Sequence, residues 1–320
     1  MRLTDPDRLF PVEPRIRDLA RAMYDNVRHL PIISPHGHCE PRWFAENKRF
    51  PNPAELLVVP DHYLLRMLTS QGVALVELGI PRADGGVIEQ DPRQIWQRFA
   101  AHYHLFRGTP SGMWLDHSFE HLFGIDEVLS ADTADAYYNH IDSCLGRDEF
   151  RPRALFEKFN VEVLATTDAA TDPLQWHQQL CDSGWKGRIV TTYRPDAAVD
   201  PEFSGFAKTV AELGEITGED TSNWAGYLAA HRARRAYFKS FGATATDHGH
   251  ASARTADLPQ AEAKTLFAKV VAGTCTPDEA DLFRGQMLTE MARMSLDDGL
   301  VMQIHAGSHR NHNAEIFACH

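Results

Sequence analysis

Residues 161–172 read VEVLATTDAATD, and residues 188–196 read RIVTTYRPD. Each is a short apolar, β-branched run that turns abruptly polar. The same texture recurs at 242–250, GATATDHGH, and at 299–311, GLVMQIHAGSHRN. An earlier instance stands at 31–38, PIISPHGH. Val, Ile and Thr suit pleated backbone, so strands are predicted at Val161–Thr166, Arg188–Tyr193, Gly242–Thr246 and Gly299–His305, after a short first strand at Pro31–Ile33. Helical periodicity fills the gaps, at about 172–183, 202–217, 222–240, 259–272 and 277–297. Strands alternating with helices argue for a parallel sheet. His, Asp and Arg gather just after the strands, which is where a (β/α)8 barrel builds its active site. No GxGxxG follows any strand, so a dinucleotide-binding fold has no support. The expected fold class is therefore α/β, a (β/α)8 TIM-type barrel with strands 1 to 5 apparent.

Working outward, Pro14 opens a helix whose Ile16, Leu19, Ala20, Met23, Tyr24, Val27 and Leu30 share one face. Between 41 and 155 the chain reads as helix. Asp61 caps Leu64, Leu65, Met67 and Leu68; Asp91-Pro92 caps Ile95, Trp96, Phe99 and Tyr103; Asp132 precedes Tyr137, Tyr138, Ile141 and Leu145, with Gly146 as the stop. The expected domains are 1–40 (N-terminal helix and barrel strand 1), 41–155 (a large helical insertion after strand 1) and 156–320 (strands 2–5). A barrel needs eight strands. The expectation is that the chain stops short of a complete barrel.

Composition sets bounds on function. Of 320 residues, 32 are Lys or Arg and 44 are Asp or Glu, a net charge of −12. Hydrophobic content of 43% and charged content of 24% are ordinary for a globular protein, which excludes disorder, collagen and coiled coil for the whole chain. The acidic balance argues against a nucleic-acid partner. No secretory apolar region and no membrane-length apolar run is visible, so a cytoplasmic protein without a membrane partner is expected. Five cysteines lie far apart without a CxxC, which argues against a disulfide framework or a cysteine zinc site. Seventeen histidines are the compositional feature that invites a chemical reading.

His36-Gly37-His38 is the sharpest local pattern. Residues two apart on extended backbone point the same way, so two imidazoles can meet one metal ion. Ordinary hydrogen-bonded loop histidines are the bland alternative. His305 ends the last strand, and Asp247, His248 and His250 end the one before. His62 and Tyr63 start a capped helix, with Arg66 one turn on. Arg194 suits a carboxylate, or a plain salt bridge to Asp196. Arg310 and Asn311 allow the same two readings. A rival motif, His117-Ser118-Phe119-Glu120-His121, matches the HxxEH zinc-protease pattern, although Phe119, Leu122 and Phe123 look like packing residues.

Six segments, PIISPHGH, VPDHYLLRML, ATTDAATDPLQWH, TTYRPD, TATDHGH and LVMQIHAGSHRNHN, resemble in order those of the uronate isomerases, the glucuronate/galacturonate isomerase family of the amidohydrolase superfamily. The resemblance runs from about residue 15 to 313. It implies an intramolecular aldose–ketose isomerase of carbohydrate metabolism acting on a hexuronate. D-glucuronate would interconvert with D-fructuronate, and D-galacturonate with D-tagaturonate, by proton transfer between C2 and C1 through an enediol. It implies His36 and His38 as metal ligands, and His62, Tyr63 and His305 as catalytic groups. Arg194, Arg310 and Asn311 are implied for substrate binding. The implied cofactor is a divalent metal, zinc in the first place and manganese in the second. Self-association into a homo-oligomer is compatible with it. Ser34 stands where the family has an Asp, and Ala169-Ala170 replaces a more acidic stretch. The family's further Asp, in a D-x-R context after its last strand, has no counterpart here. A metal-dependent hydrolase using the same ligands, the HxxEH protease and a non-catalytic barrel remain the alternatives.

Overall fold

The computed structural model describes residues 3–308 and 312–320. Two compact units divide the chain: Met1–Leu30, Lys48–Lys158 and Asn311–His320 form one, and Pro31–Asn47 with Phe159–Arg310 form the other.

Every regular element among the described residues of the first unit is helical. The Pro14–Val27 helix starts at the carboxylate of Glu13, which accepts from the Arg15 and Ile16 amides. Its apolar stripe is present as predicted, but the helix has no buried residue. Asp61 caps the His62–Ser70 helix by accepting from the Tyr63 and Leu64 amides, and Asp91 caps Pro92–Ala101. The helix predicted from Asp132 begins two residues later, spanning Ala134–Leu145. The inner faces of these helices form one core around Leu64, Trp96, Phe99, Phe106, Phe119, Tyr137 and Ile141. The one polar atom of Trp96 is satisfied there, its indole N–H donating to the Ala134 carbonyl at 3.0 Å.

The second unit carries every described strand. They are β1 Ile32–Ser34, β2 Val161–Ala165, β3 Asp168–Ala169, β4 Arg188–Val190, β5 Tyr193–Arg194, β6 Ala245–His248 and β7 Val301–Ile304. All pair in parallel, as two sheets of order β1-β2-β4 and β3-β5-β6-β7. Helices at Gln175–Asp182, Phe206–Thr217, Trp224–Ser240, Gln260–Val271 and Pro277–Asp298 match the predicted helical stretches closely. They pack Tyr227, Phe238, Phe267, Phe283, Met287 and Met291 into a second core. Burying a large side chain of this kind is worth about 2–3 kcal/mol.

The fold class expected from sequence is corrected by this topology. The protein is predominantly helical with two small sheets, and no closed eight-stranded TIM-type barrel is formed among the described residues. Alternating strands and helices specify parallel pairing but not closure, which also needs matched tilt and stagger. The predicted Arg188–Tyr193 run is split at Thr191-Thr192, and beyond the predicted Val161–Thr166 run a further short strand, β3, follows Thr166-Thr167, so five runs become seven short strands. At the splits the backbone still pairs: the Thr166 amide donates to Val190 O at 2.8 Å, and Asp168 to Thr192 O at 3.1 Å. The side chains at the splits are tied together. The Thr166 and Thr191 hydroxyls both donate to Asp168 Oδ2 at 2.6 Å, and His177 Nε2 lies 2.9 Å from Thr166 Oγ1. This buried cluster fastens the two runs and the Gln175–Asp182 helix together.

Candidate functional site

The site is built where the strands of the second unit end. Side chains alternate along a strand, so Thr246 and His248 share one face of β6 and Asp247 points to the other. Thr246 Oγ1 and His248 Nε2 confirm the shared face at 2.8 Å. Asp247 is fully buried. Its Oδ1 lies 2.8 Å from His305 Nε2 and 3.6 Å from His36 Nδ1, and its Oδ2 lies 3.4 Å from Arg194 Nη1. None of these approaches has hydrogen-bond alignment, so both carboxylate oxygens lack a hydrogen-bond partner among the described residues.

The two imidazoles of the HGH pattern do come together. His36 Nε2 and His38 Nε2 are 3.1 Å apart, close enough for both to reach one ion at roughly 2.0–2.1 Å each. His36 Nδ1–H donates to Gln303 Oε1 at 2.9 Å, and Gln303 in turn donates to the Pro35 carbonyl at 2.8 Å. Gly37 makes this approach feasible: a Cβ there would sit 2.8 Å from the Ala165 carbonyl oxygen. Burial, followed by the neighbouring His36 and Arg194, holds the His38 imidazole below the usual histidine range, which favours the neutral, ligating form.

His36, Asp247 and His305 offer ligand atoms within 4.8 Å of one another. A buried carboxylate without hydrogen bonds is costly unless something positive faces it. Two imidazole nitrogens and one carboxylate oxygen form a donor set that suits a divalent ion of borderline softness. The residues present therefore fit a metal.

The remaining predicted residues divide by location. Arg194, at the end of β5, sits between two carboxylates, with Nε donating to Asp196 Oδ2 at 2.8 Å. His62 and Tyr63 belong to the other unit; their rings lie 4.3 Å apart, with the Arg66 guanidinium 5.7 Å from the Tyr63 ring. Arg310 and Asn311 lie outside the described residues. In the rival motif, Glu120 accepts hydrogen bonds from the Thr4 amide and hydroxyl, and Phe119 is core. That carboxylate is occupied as a hydrogen-bond acceptor instead of being poised as a base.

Sequence reasoning placed Asp247 at a strand end without giving it a role, and passed over Gln303. Both were signalled by period-2 alternation: Gln303 shares a face with His305, and Asp247 is the one acid inside the GATATDHGH run. It also left His250 unassigned. That ring is buried with neither nitrogen hydrogen-bonded, and burial lowers its pKa.

Comparison with known proteins identifies the family. The glucuronate isomerase family model matches residues 15–319. The uronate isomerase of Rhizobium meliloti (strain 1021) is 61% identical over 99% of this chain and 67% of its own length. That of Mesorhizobium japonicum is 60% identical over 98% of this chain and 67% of its own. The crystal structure of glucuronate isomerase from Caulobacter crescentus superposes with a TM-score of 0.96 at 52% identity, covering 99% of this chain and 66% of that one. The Thermotoga maritima uronate isomerase superposes at 0.84 with 26% identity, covering 94% and 66%. The chain thus spans about two thirds of the length of these relatives. The resemblance carried by six short segments is borne out, as is the expectation of an enzyme of the uronate isomerase type. By the family match and by these identities, the chain belongs to the glucuronate isomerase family.

Proposed function

We propose that this protein interconverts hexuronate aldoses and ketoses: D-glucuronate with D-fructuronate, and D-galacturonate with D-tagaturonate. The observation that carries the reading is Asp247, a buried carboxylate without hydrogen bonds that faces His36, His305 and Arg194, in a chain of this family. His36, His38 and Asp247 would hold a divalent cation, with His305, whose ligand atom also lies within 4.8 Å of those of His36 and Asp247, beside it; zinc is the first choice and manganese the second. When bound, that ion supplies Lewis-acid stabilisation of negative charge on the substrate's O1 and O2. Arg194 receives the C6 carboxylate, whose two oxygens match the guanidinium fork. Arg310 and Asn311 are proposed to join it.

The chemistry needs no external oxidant or reductant. A base removes the C2 proton while O1 gains one, giving an enediol. The proton returned to C1 and the loss of the O2 proton complete the ketose. His305 is the proposed proton carrier nearest Asp247, and His62 and Tyr63 are proposed for ring opening and proton handling. The second unit's carboxylate and imidazoles lie at strand ends, where short elements hold them in place.

The test is direct. Purified protein supplied with zinc or manganese converts D-glucuronate to a ketose, followed by a ketose-specific colour reaction. Absence of turnover with either metal overturns the assignment. His36→Ala lowers bound metal per chain; unchanged metal content removes its ligand role.

A further inference from the structure

Asp196 connects two strand ends that are far apart in sequence. Its Oδ2 accepts from Arg194 Nε at 2.8 Å, and its Oδ1 accepts from the Gly249 amide at 3.0 Å. Arg194 ends β5, and Gly249 follows β6. Gly249 is also the tightest point of the site. A Cβ there would lie 2.8 Å from Arg194 Nη2, 2.8 Å from Asp196 Oδ2 and 2.9 Å from His305 Cε1.

These contacts leave the guanidinium with a defined division of labour. Nε is committed to Asp196 and Nη1 approaches Asp247 at 3.4 Å, while Nη2 makes no hydrogen bond among the described residues. A free arginine side chain has several rotatable bonds and would not hold such an orientation unaided. We propose that Asp196, seated on the Gly249 amide in the space a side chain would fill, is a positioning residue that sets the Arg194 guanidinium for an anionic oxygen of the substrate. This rests on the reading of Arg194 as the carboxylate receiver. It adds a specificity role for two residues that touch no substrate themselves. Asp196 supplies the orientation, and Gly249 supplies the room.

The inference is tested by steady-state kinetics on D-glucuronate, with calorimetric binding of the same sugar and bound metal measured in parallel. Asp196→Asn raises KM about tenfold, the size expected when a partner that orients a binding group is lost. The loss falls on KM more than on kcat, and metal content holds. Asp196→Glu recovers part of it. In an Arg194→Gln background, adding Asp196→Asn changes KM less than twofold, because its effect runs through the arginine. Gly249→Ala follows Asp196→Asn in direction. A wild-type KM in Asp196→Asn overturns the proposal, as does a full tenfold effect that persists without Arg194. If wild-type protein neither turns over nor binds D-glucuronate, the functional reading itself falls. If Arg194→Gln alone leaves KM unchanged, only the role of Arg194, and with it this clamp, is removed.

Discussion

β6 and β7 are adjacent in one parallel ladder, yet they bury opposite kinds of residue. β6 reads Ala-Thr-Asp-His and is buried at every position. β7 reads Val-Met-Gln-Ile, with Val301 65% and Ile304 49% exposed. Hydrophobicity alone would have reversed the two. Burying Thr246, Asp247 and His248 is unfavourable unless they are paired with one another or with a ligand. A polar strand kept at the centre is thus a stronger pointer to chemistry than any single histidine. The apolar strand beside it lies at the end of the strand order, where its outer edge has no partner strand among the described residues.

This contrast can be broken or sharpened by experiment. The largest effect is expected at Asp247. Asp247→Asn removes the charge with little change of shape and lowers kcat/KM by about 10²–10⁴-fold, the range associated with loss of a central acid–base or ligand group. Bound metal falls with it. A variant with wild-type turnover would dissolve the distinction between the strands.

Acid is the next lever. Behind the sheet, burial and then the neighbouring Arg235 hold His231 down to about 3, while its Nδ1 meets the Tyr193 hydroxyl at 2.7 Å. The unfolded imidazole titrates near 6.5. Between these values the unfolded chain binds the extra proton. The stabilisation is therefore complete above about pH 6.5 and is lost as pH falls from there toward 3, by roughly 1.4 kcal/mol per pH unit. Urea midpoints measured with chelator from pH 7.5 to 5.5 will show this slope, and His231→Gln will flatten it.

The smallest expected effects make the cleanest pair. Thr246→Val removes the hydroxyl next to His248 Nε2 and costs about 1–3 kcal/mol by leaving a buried group unpaired. Val301→Thr, the reverse change on the exposed neighbour, stays within about 0.5 kcal/mol. Equal costs in urea denaturation would show that burial, as drawn here, does not separate the strands.

Much of this was legible in the chain itself. Helix 277–297 was readable from its periodicity and is found at Pro277–Asp298, because a Thr276/Glu279 capping box starts it and Gly299 ends it. His36 and His38 were readable because two-residue spacing on extended backbone is a local rule. The (β/α)8 TIM-type barrel class was the expectation that failed. It depends on distant pairings, and the threonines at the strand breaks look like ordinary β-formers in sequence. Asp247 was seen at its strand end but given no role for a related reason: a lone acid in a strand announces nothing until Arg194, His36 and His305 arrive from other elements.

The Asp168 cluster has a consequence for how the second unit assembles. Its carboxylate draws one hydroxyl from its own run and one from the next, with the Gln175–Asp182 helix closing over them through His177. A one-residue slip between the runs would turn Thr191 to the wrong face and strand a negative charge in a drying interior. Misregistered pairings of the two runs are therefore penalised. An acid at the strand breaks thus acts as a register pin that only the native pairing satisfies.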